Sequence, residues 1–185
     1  MITAATMVTL GRLLLTPWIV YAITVQQWRV AFILVLVALV SDLLDGFIAR
    51  YYNQITVIGQ LLDPLTDKFL ICSSLYACSS IVPDSGLPIG ILQLIIVKEL
   101  LMIIGGIVIH YWWGARLLLP QQAGKIAMVL QSCLLLGLIM QQLVAVRMVL
   151  FTTVFAYITL IAVLLSLFFY ATGVLRWFVV GRLPG

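Results

Sequence analysis

The feature that most constrains this chain is the recurrence of apolar runs of about 20 residues, the length at which a helix crosses roughly 30 Å of hydrocarbon. Of the 185 residues, 64% are hydrophobic and 9% are charged, whereas soluble domains carry roughly 25% charged residues. The formal net charge of +4 comes without a run of Lys or Arg, so no nucleic-acid partner is expected. The sequence predicts an all-α, polytopic membrane protein, with residues 1–185 forming one transmembrane domain.

Six membrane-spanning helices are predicted, at residues 6–25, 28–50, 59–82, 88–111, 122–140 and 147–180. The distribution of Lys and Arg near the helix ends sets the orientation. Arg29 and Arg147 lie on one face. The opposite face carries both termini and a larger basic set, which is Arg50, Arg116, Lys125, Arg176 and Arg182. We therefore expect an integral protein of an inner, plasma or organelle membrane, with both termini and the loop after the second span on the cytoplasmic side.

Four of the six acidic residues lie within 26 positions: Asp42, Asp45, Asp63 and Asp67. An aspartate at the centre of a lipid-exposed helix costs roughly 2.5–3.5 kcal/mol. The members of each pair are three or four residues apart, so each pair lies on one helix face. Because a short loop joins the second and third helices, these helices run antiparallel, and the two acidic faces are expected to meet.

Carboxylates that converge at one depth repel each other unless cations compensate them. Arg12, Arg50 and Lys68 are the nearby basic residues, too few to balance four acids and a substrate phosphate. Oxygen ligands favour Mg²⁺, Mn²⁺ or Ca²⁺ over zinc or copper, and paired metal ions are a common device for phosphoryl chemistry. The small residues Gly46, Ala49 and Gly59 allow a ligand to approach the helices closely.

Two other interpretations of the acidic pairs are open at this point. Transporters also use intramembrane carboxylates, to relay protons or to bind Na⁺. A structural salt-bridge cluster is the second alternative, and the small number of cations disfavours it. The spacing of the aspartates favours an enzyme over a transporter but does not decide between them.

The complete pattern around the aspartates resembles the signature of the CDP-alcohol phosphotransferases. It reads Asp42-x2-Asp45-Gly46-x2-Ala49-Arg50-x8-Gly59-x3-Asp63-x3-Asp67. This resemblance implies the six-helix fold of that family, an enzyme that acts on a CDP-linked lipid, two Mg²⁺ or Mn²⁺ ions and a homodimer. Thr9-x2-Arg12 is similar to the family's first-helix pattern, with Thr6 in the place of the usual Asn.

The resemblance also implies a role for each residue of the signature. Asp42, Asp45 and Asp63 would bind the metal ions, and Asp67 would complete the cluster and take the proton of the acceptor hydroxyl as the catalytic base. The CDP portion of the lipid substrate would be held by Asp42, Gly46, Ala49, Arg50 and Gly59.

Within the family, the segments 42–50 and 62–68 most resemble phosphatidylglycerophosphate synthases, which transfer a phosphatidyl group from CDP-diacylglycerol to glycerol 3-phosphate. Lys68 directly after the last aspartate is typical of that branch and of cardiolipin synthases, whose acceptor is phosphatidylglycerol. An acceptor phosphate needs cations, and Lys98, Lys125 and Arg116 are the candidates. Alternatively, Lys98 forms an ion pair with an acid, and Lys125 and Arg116 are interfacial anchors.

Overall fold

The structure, a computed structural model, describes residues 4–52, 57–113, 122–144 and 149–180, together with the connections at 25–27 and 82–88. Side chains are described for residues 10–42, 65–108, 122–144 and 149–173. All the regular structure in these ranges is helical, which confirms the all-α class.

Six α-helices follow one another along the chain. They are α1 (Ala4–Thr24), α2 (Trp28–Tyr52), α3 (Val57–Ile81), α4 (Ile89–Trp113), α5 (Gln122–Val144) and α6 (Val149–Val180), with a short 3-10 helix, Pro83–Ser85, after α3. Each α-helix begins and ends within about four residues of a predicted span, which is the usual error of boundaries read from sequence. The largest difference is at the end of α5, which continues to Val144 rather than ending at residue 140.

The turn between α1 and α2 is built from backbone hydrogen bonds at Gln26 and Gln27. Gln26 adopts the left-handed conformation with φ of 58°, and its N–H donates to the carbonyl of Ile23 at 3.0 Å. The N–H of Gln27 donates to the carbonyl of Ala22 at 2.8 Å. This Schellman arrangement satisfies carbonyls that a helix end leaves unpaired, and it ends α1 so that the chain can reverse into α2.

The chain forms two compact units. The first comprises Met1–Leu87 and Leu135–Thr152. In this unit α1 packs against both α2 and α3, and its buried side chains recur at the three- and four-residue spacing of one helix face. The stripe on α1 is Arg12, Thr16, Ile19 and Ile23, and the stripe on α2 is Ala31, Val35 and Ala38.

The second unit comprises Pro88–Leu134 and Thr153–Gly185. Its buried residues follow the same helical spacing, with Ile91, Leu92 and Ile95 on α4 and Ala156, Thr159 and Val163 on α6. The single domain predicted for residues 1–185 stays a prediction.

Within the described ranges, three helices are long and apolar enough to cross a bilayer: Ile89–Val108, Gln122–Val144 and Val149–Gly173. The segment Leu10–Thr24 is also apolar but shorter. Many large apolar side chains on these helices are exposed, among them Trp18, Ile104 and Phe168. An outward-facing apolar surface of this kind suits contact with lipid. The protein is therefore an integral membrane protein, and three of the six predicted spans meet this measure of length and composition.

Candidate active site

Asp42 is carried on the face of α2 that packs into the first unit. Ala31, Val35 and Ala38 form the buried stripe of this helix, and Asp42, four residues after Ala38, continues it. The side chain of Asp42 is nonetheless 45% exposed. The packing face of α2 thus continues from buried apolar residues to an acid that is partly accessible.

Asp67 lies in the first half of α3, between the buried residues Thr66 and Leu70. Its side chain is 16% exposed. A carboxylate so far removed from water requires charge-assisted hydrogen bonds.

Arg12 of α1 joins the two carboxylates. Its Nη2 atom donates to Oδ1 of Asp42 at 2.8 Å, and its Nη1 atom donates to Oδ1 of Asp67. Arg12 is itself only 4% exposed. The structure therefore brings Asp42 and Asp67, which are 25 positions apart in the sequence, to one guanidinium, as expected if the acidic faces of α2 and α3 meet.

We define the acid cluster as Arg12, Asp42 and Asp67. These three side chains, one guanidinium and two carboxylates, carry a formal charge of −1 taken by themselves. Its acceptor atoms are all carboxylate oxygens, which are the ligands that hard divalent cations such as Mg²⁺ and Mn²⁺ prefer. The residues present therefore fit a divalent metal site in the chemistry of their oxygen atoms and in the accessibility of Asp42.

Several predicted residues lie outside the described side chains. The backbone of Asp45, Gly46, Ala49 and Arg50 is part of α2, and that of Gly59 and Asp63 is part of α3. That Asp45 shares a helix face with Asp42, and Asp63 with Asp67, stays a prediction from the sequence spacing. Arg116 falls in the range 114–121, outside the described residues.

A second charged group lies in the other unit. The Nζ of Lys98 donates to Oε1 of Glu99 at 2.7 Å, and the Nε2 of Gln131 donates to the same oxygen at 3.2 Å. Lys98 and Glu99 are 4% and 2% exposed, and Gln131 is buried. The ion pair expected as the alternative for Lys98 is therefore present, but the acid is the next residue of α4 rather than one on another helix.

Lys125 is exposed at the start of α5. It is the one candidate for the acceptor phosphate that is both described and outside an ion pair in the described part of the chain.

An open cleft of about 380 Å³ lies at the turn between α1 and α2. It is lined by Gln26, Gln27, Trp28, Arg29, Val30, Gln142 and Leu143. Because Trp28 and Asp42 are 14 residues apart on α2, the cleft is about 20 Å from the acid cluster. It contains no carboxylate, so it lacks the ligands of the predicted metal site.

The sequence analysis named Arg12 as a nearby cation and as part of a first-helix pattern, but it did not predict that Arg12 joins the two carboxylates. It also did not predict Gln131 as a partner of Glu99. A signal for Arg12 was available, since a charged residue in register with Thr16, Ile19 and Ile23 on an apolar helix must be paired inside the protein. Gln131 has no comparable signal, because a glutamine in a helix is equally compatible with an exposed position.

A family model described as CDP-alcohol phosphatidyltransferase matches residues 2–181. Among curated proteins, a CDP-diacylglycerol--glycerol-3-phosphate 3-phosphatidyltransferase of Aquifex aeolicus is 42% identical over 69 residues, which are 37% of this chain and 39% of that protein. The protein of the same name from Escherichia coli is 41% identical over 69 residues, 36% of this chain and 38% of that protein.

A cardiolipin synthase (CMP-forming) of Homo sapiens is 36% identical over 100 residues, which are 54% of this chain and 32% of that protein. The chain thus aligns with about two fifths or less of the length of each of these curated relatives.

Proposed function

We propose that this chain, which belongs to the CDP-alcohol phosphatidyltransferase family, transfers a phosphatidyl group from CDP-diacylglycerol to glycerol 3-phosphate, with phosphatidylglycerophosphate and CMP as products. The observation that carries the proposal is the meeting of Asp42 and Asp67 at Arg12, inside the range that the family model covers. Relatives named for this reaction are about 40% identical over the aligned segments, which favours it among the reactions of the family.

Members of this family generally depend on a divalent metal ion. We propose that Asp42, Asp45, Asp63 and Asp67 hold two Mg²⁺ or Mn²⁺ ions. When bound, such ions polarise the diphosphate and stabilise the negative charge of the leaving oxygen. The carboxylate oxygens that Asp42 and Asp67 bring together at Arg12, and the accessibility of Asp42, support this assignment.

Asp67 is the proposed general base. It takes the proton of the acceptor hydroxyl, whose oxygen attacks the phosphorus that carries the diacylglycerol. A new P–O bond forms to the acceptor, the P–O bond to CMP breaks, and CMP leaves. Asp67 suits this role because its side chain is only 16% exposed and is held by Arg12, so the carboxylate is fixed in orientation.

The CDP portion of the lipid is assigned to the part of α2 and α3 around the aspartates. Gly46, Ala49 and Gly59 carry little or no side chain, which lets the nucleotide approach the helix backbones, and Arg50 offers a planar donor to phosphate. Asp42 is the one proposed CDP contact that belongs to the acid cluster, and its exposure of 45% leaves it accessible to a ligand.

The acceptor phosphate is assigned to Lys98, Lys125 and Arg116. Lys125 is the strongest of the three, since it is exposed and begins a helix. Lys98 already binds Glu99 at 2.7 Å, so a phosphate at Lys98 must share the ammonium with a carboxylate or displace it.

A second candidate reaction is the transfer to phosphatidylglycerol that forms cardiolipin. The observation that favours it is the match to human cardiolipin synthase, which covers 54% of this chain, a larger share than the 37% covered by the Aquifex protein. Both reactions use the same CDP-lipid and differ only in the acceptor. The metal chemistry and the role of Asp67 are therefore common to the two candidates.

We further propose that both termini and the acid cluster are cytoplasmic, because the face that carries them has more Lys and Arg near the helix ends than the opposite face. The homodimer that is usual in the family is part of the same proposal. Labelling of single cysteines introduced near each terminus tests the orientation, and light scattering of the purified protein tests the dimer.

The acceptor is tested with purified protein and CDP-diacylglycerol, given glycerol 3-phosphate or phosphatidylglycerol in parallel. CMP release is followed, and the lipid product is identified by mass spectrometry. We expect CMP and phosphatidylglycerophosphate in equal amounts with the first acceptor and no product with the second. Cardiolipin formed from phosphatidylglycerol, with glycerol 3-phosphate ignored, would replace the main assignment by the second candidate.

A further inference from the structure

Arg12 is the residue through which the three helices of the acid cluster are linked. It lies on α1, and its two terminal nitrogens bind one carboxylate on α2 and one on α3. Because α1 packs against both of these helices, the guanidinium occupies the place where the two acidic faces come together. The link therefore depends on this one side chain as well as on the packing of the helices.

The guanidinium is held in a defined position. Arg12 is 4% exposed, and it belongs to the buried stripe of α1 that continues through Thr16 and Ile19. The hydroxyl of Thr16 donates to the carbonyl of Arg12 at 2.9 Å. A guanidinium is planar and rigid, so its Nη1 and Nη2 atoms impose a fixed separation on the two oxygens that they bind, which the single ammonium of a lysine does not do.

We propose that Arg12 is a positioning residue, which fixes Asp42 relative to Asp67 and thereby sets the geometry in which the acid cluster binds divalent cations. This inference rests on the proposed function. Arg12 acts through the carboxylates that it binds, and it is assigned no contact with the substrates. Carboxylates that bind metal ions are commonly oriented by outer hydrogen bonds of this kind, whose loss lowers metal affinity about 10- to 100-fold.

The alternative role for Arg12 is neutralisation of charge alone. In that case any cation at the position serves equally well, and removing the charge strengthens the binding of a metal ion. The two roles predict different changes in metal affinity for two substitutions of Arg12. Arg12→Lys keeps the charge and loses the rigid fork, and Arg12→Gln loses both. Nearly half of the Asp42 side chain is in contact with solvent, which screens the influence of charge, so the change in geometry is expected to dominate the change in metal affinity.

The test is a titration of the purified, substrate-free protein with Mn²⁺, with free Mn²⁺ followed by electron paramagnetic resonance. The wild type is compared with Arg12→Lys, Arg12→Gln and the control Arg29→Lys, which changes an exposed arginine about 20 Å away at the other end of α2. We expect Mn²⁺ affinity to fall about tenfold or more in both Arg12 variants and to stay at the wild-type value in Arg29→Lys. Thermal unfolding of each variant is recorded beside the titration.

Unchanged Mn²⁺ affinity in Arg12→Lys, or tighter binding in Arg12→Gln, would overturn the proposal in favour of charge neutralisation. A lower unfolding temperature with unchanged affinity would show a purely structural role and would overturn it as well. Failure of both Arg12 variants to fold, with Arg29→Lys folded, would likewise show a purely structural role and overturn the proposal. Absence of Mn²⁺ binding by the wild type would instead refute the proposed function, together with the inference that rests on it.

Discussion

Two charged groups in the part of the chain that the structure describes differ in charge and in exposure. The acid cluster of the first unit pairs one guanidinium with two carboxylates from different helices, and Asp42 is 45% exposed. The group in the second unit pairs Lys98 with the adjacent Glu99, and both are almost completely buried. Taken by their named side chains, the first group is formally −1 and partly accessible, whereas the pair of Lys98 and Glu99 is neutral and buried.

This difference is the one expected between a ligand site and an internal ion pair. A buried pair with equal charges satisfies itself, and removing one partner leaves an uncompensated charge inside the protein. The acid cluster offers an accessible carboxylate, Asp42, to a ligand. The contrast supports the proposal that cation-dependent chemistry belongs to the first unit, and the second unit is expected to respond differently to mutation.

The largest effect is expected when a charge is removed from the acid cluster. Asp42→Asn and Asp67→Asn keep the shape of the side chain but remove the ligand that a hard cation needs. We expect CMP release to fall about 10²- to 10⁴-fold for Asp67→Asn, the range that a lost general base contributes, and to be abolished for Asp42→Asn. Asp45→Asn and Asp63→Asn, like Asp42→Asn, are expected to abolish CMP release.

The matched control is Asp84→Asn, which neutralises an exposed aspartate in the 3-10 helix. Its rate of CMP release should equal that of the wild type. Robust turnover by Asp42→Asn or Asp67→Asn, in protein that is folded in detergent, would show that the acid cluster is not the catalytic centre.

Substitutions in the Lys98–Glu99 pair of the second unit should change the stability of the fold. Glu99→Gln leaves the buried ammonium of Lys98 without its carboxylate, and breaking a buried pair from one side costs about 3–5 kcal/mol. We expect a loss of this size in the free energy of unfolding, measured in mixed micelles. The double variant Lys98→Met, Glu99→Gln removes both charges and should be more stable than Glu99→Gln alone. If the double variant loses the sum of the two single losses, Lys98 and Glu99 are not coupled, and the contrast between the units fails.

A smaller effect is expected for substitution of Lys125. This substitution distinguishes binding of the acceptor from binding of the CDP-lipid. If Lys125 binds the phosphate of glycerol 3-phosphate, Lys125→Ala loses a charge-assisted contact worth about 1.5–3 kcal/mol. The KM for glycerol 3-phosphate should rise about 10- to 100-fold, and the KM for CDP-diacylglycerol should change little. Lys125→Arg keeps the charge and should retain most of the affinity. Equal increases in both KM values would assign Lys125 to general anchoring of the helix.

The helices were predictable because each depends on a local pattern. Apolar runs define the spans, and the polar residues Gln26 and Gln27 and the segment 83–86 interrupt them where α1 and α3 end. The meeting of Asp42 with Asp67 also followed from spacing and from the short loop between two antiparallel helices. The bridging role of Arg12 did not, because it depends on how α1 packs against α2 and α3, which no local pattern specifies.

The ion-pair partner of Lys98 shows a second reason why the structure differs from the sequence-based prediction. Neighbouring residues on a helix point about 100° apart, so pairs at adjacent positions are not expected to face each other. An acid on another helix was therefore the natural expectation. The structure shows that the long side chain of Lys98 reaches Glu99 within one turn, and Gln131 from α5 binds the same carboxylate oxygen.

The most direct test of the central claim is the metal dependence of CMP release by the wild-type protein. Purified protein with CDP-diacylglycerol and glycerol 3-phosphate should form CMP and lipid product in equal amounts in Mg²⁺ or Mn²⁺. Excess EDTA should stop the reaction, and renewed addition of either ion should restore it. Turnover that continues in excess EDTA would contradict the metal-dependent account of the acid cluster. Cation flux into reconstituted vesicles, with no CMP formed from any acceptor, would contradict the enzyme assignment itself.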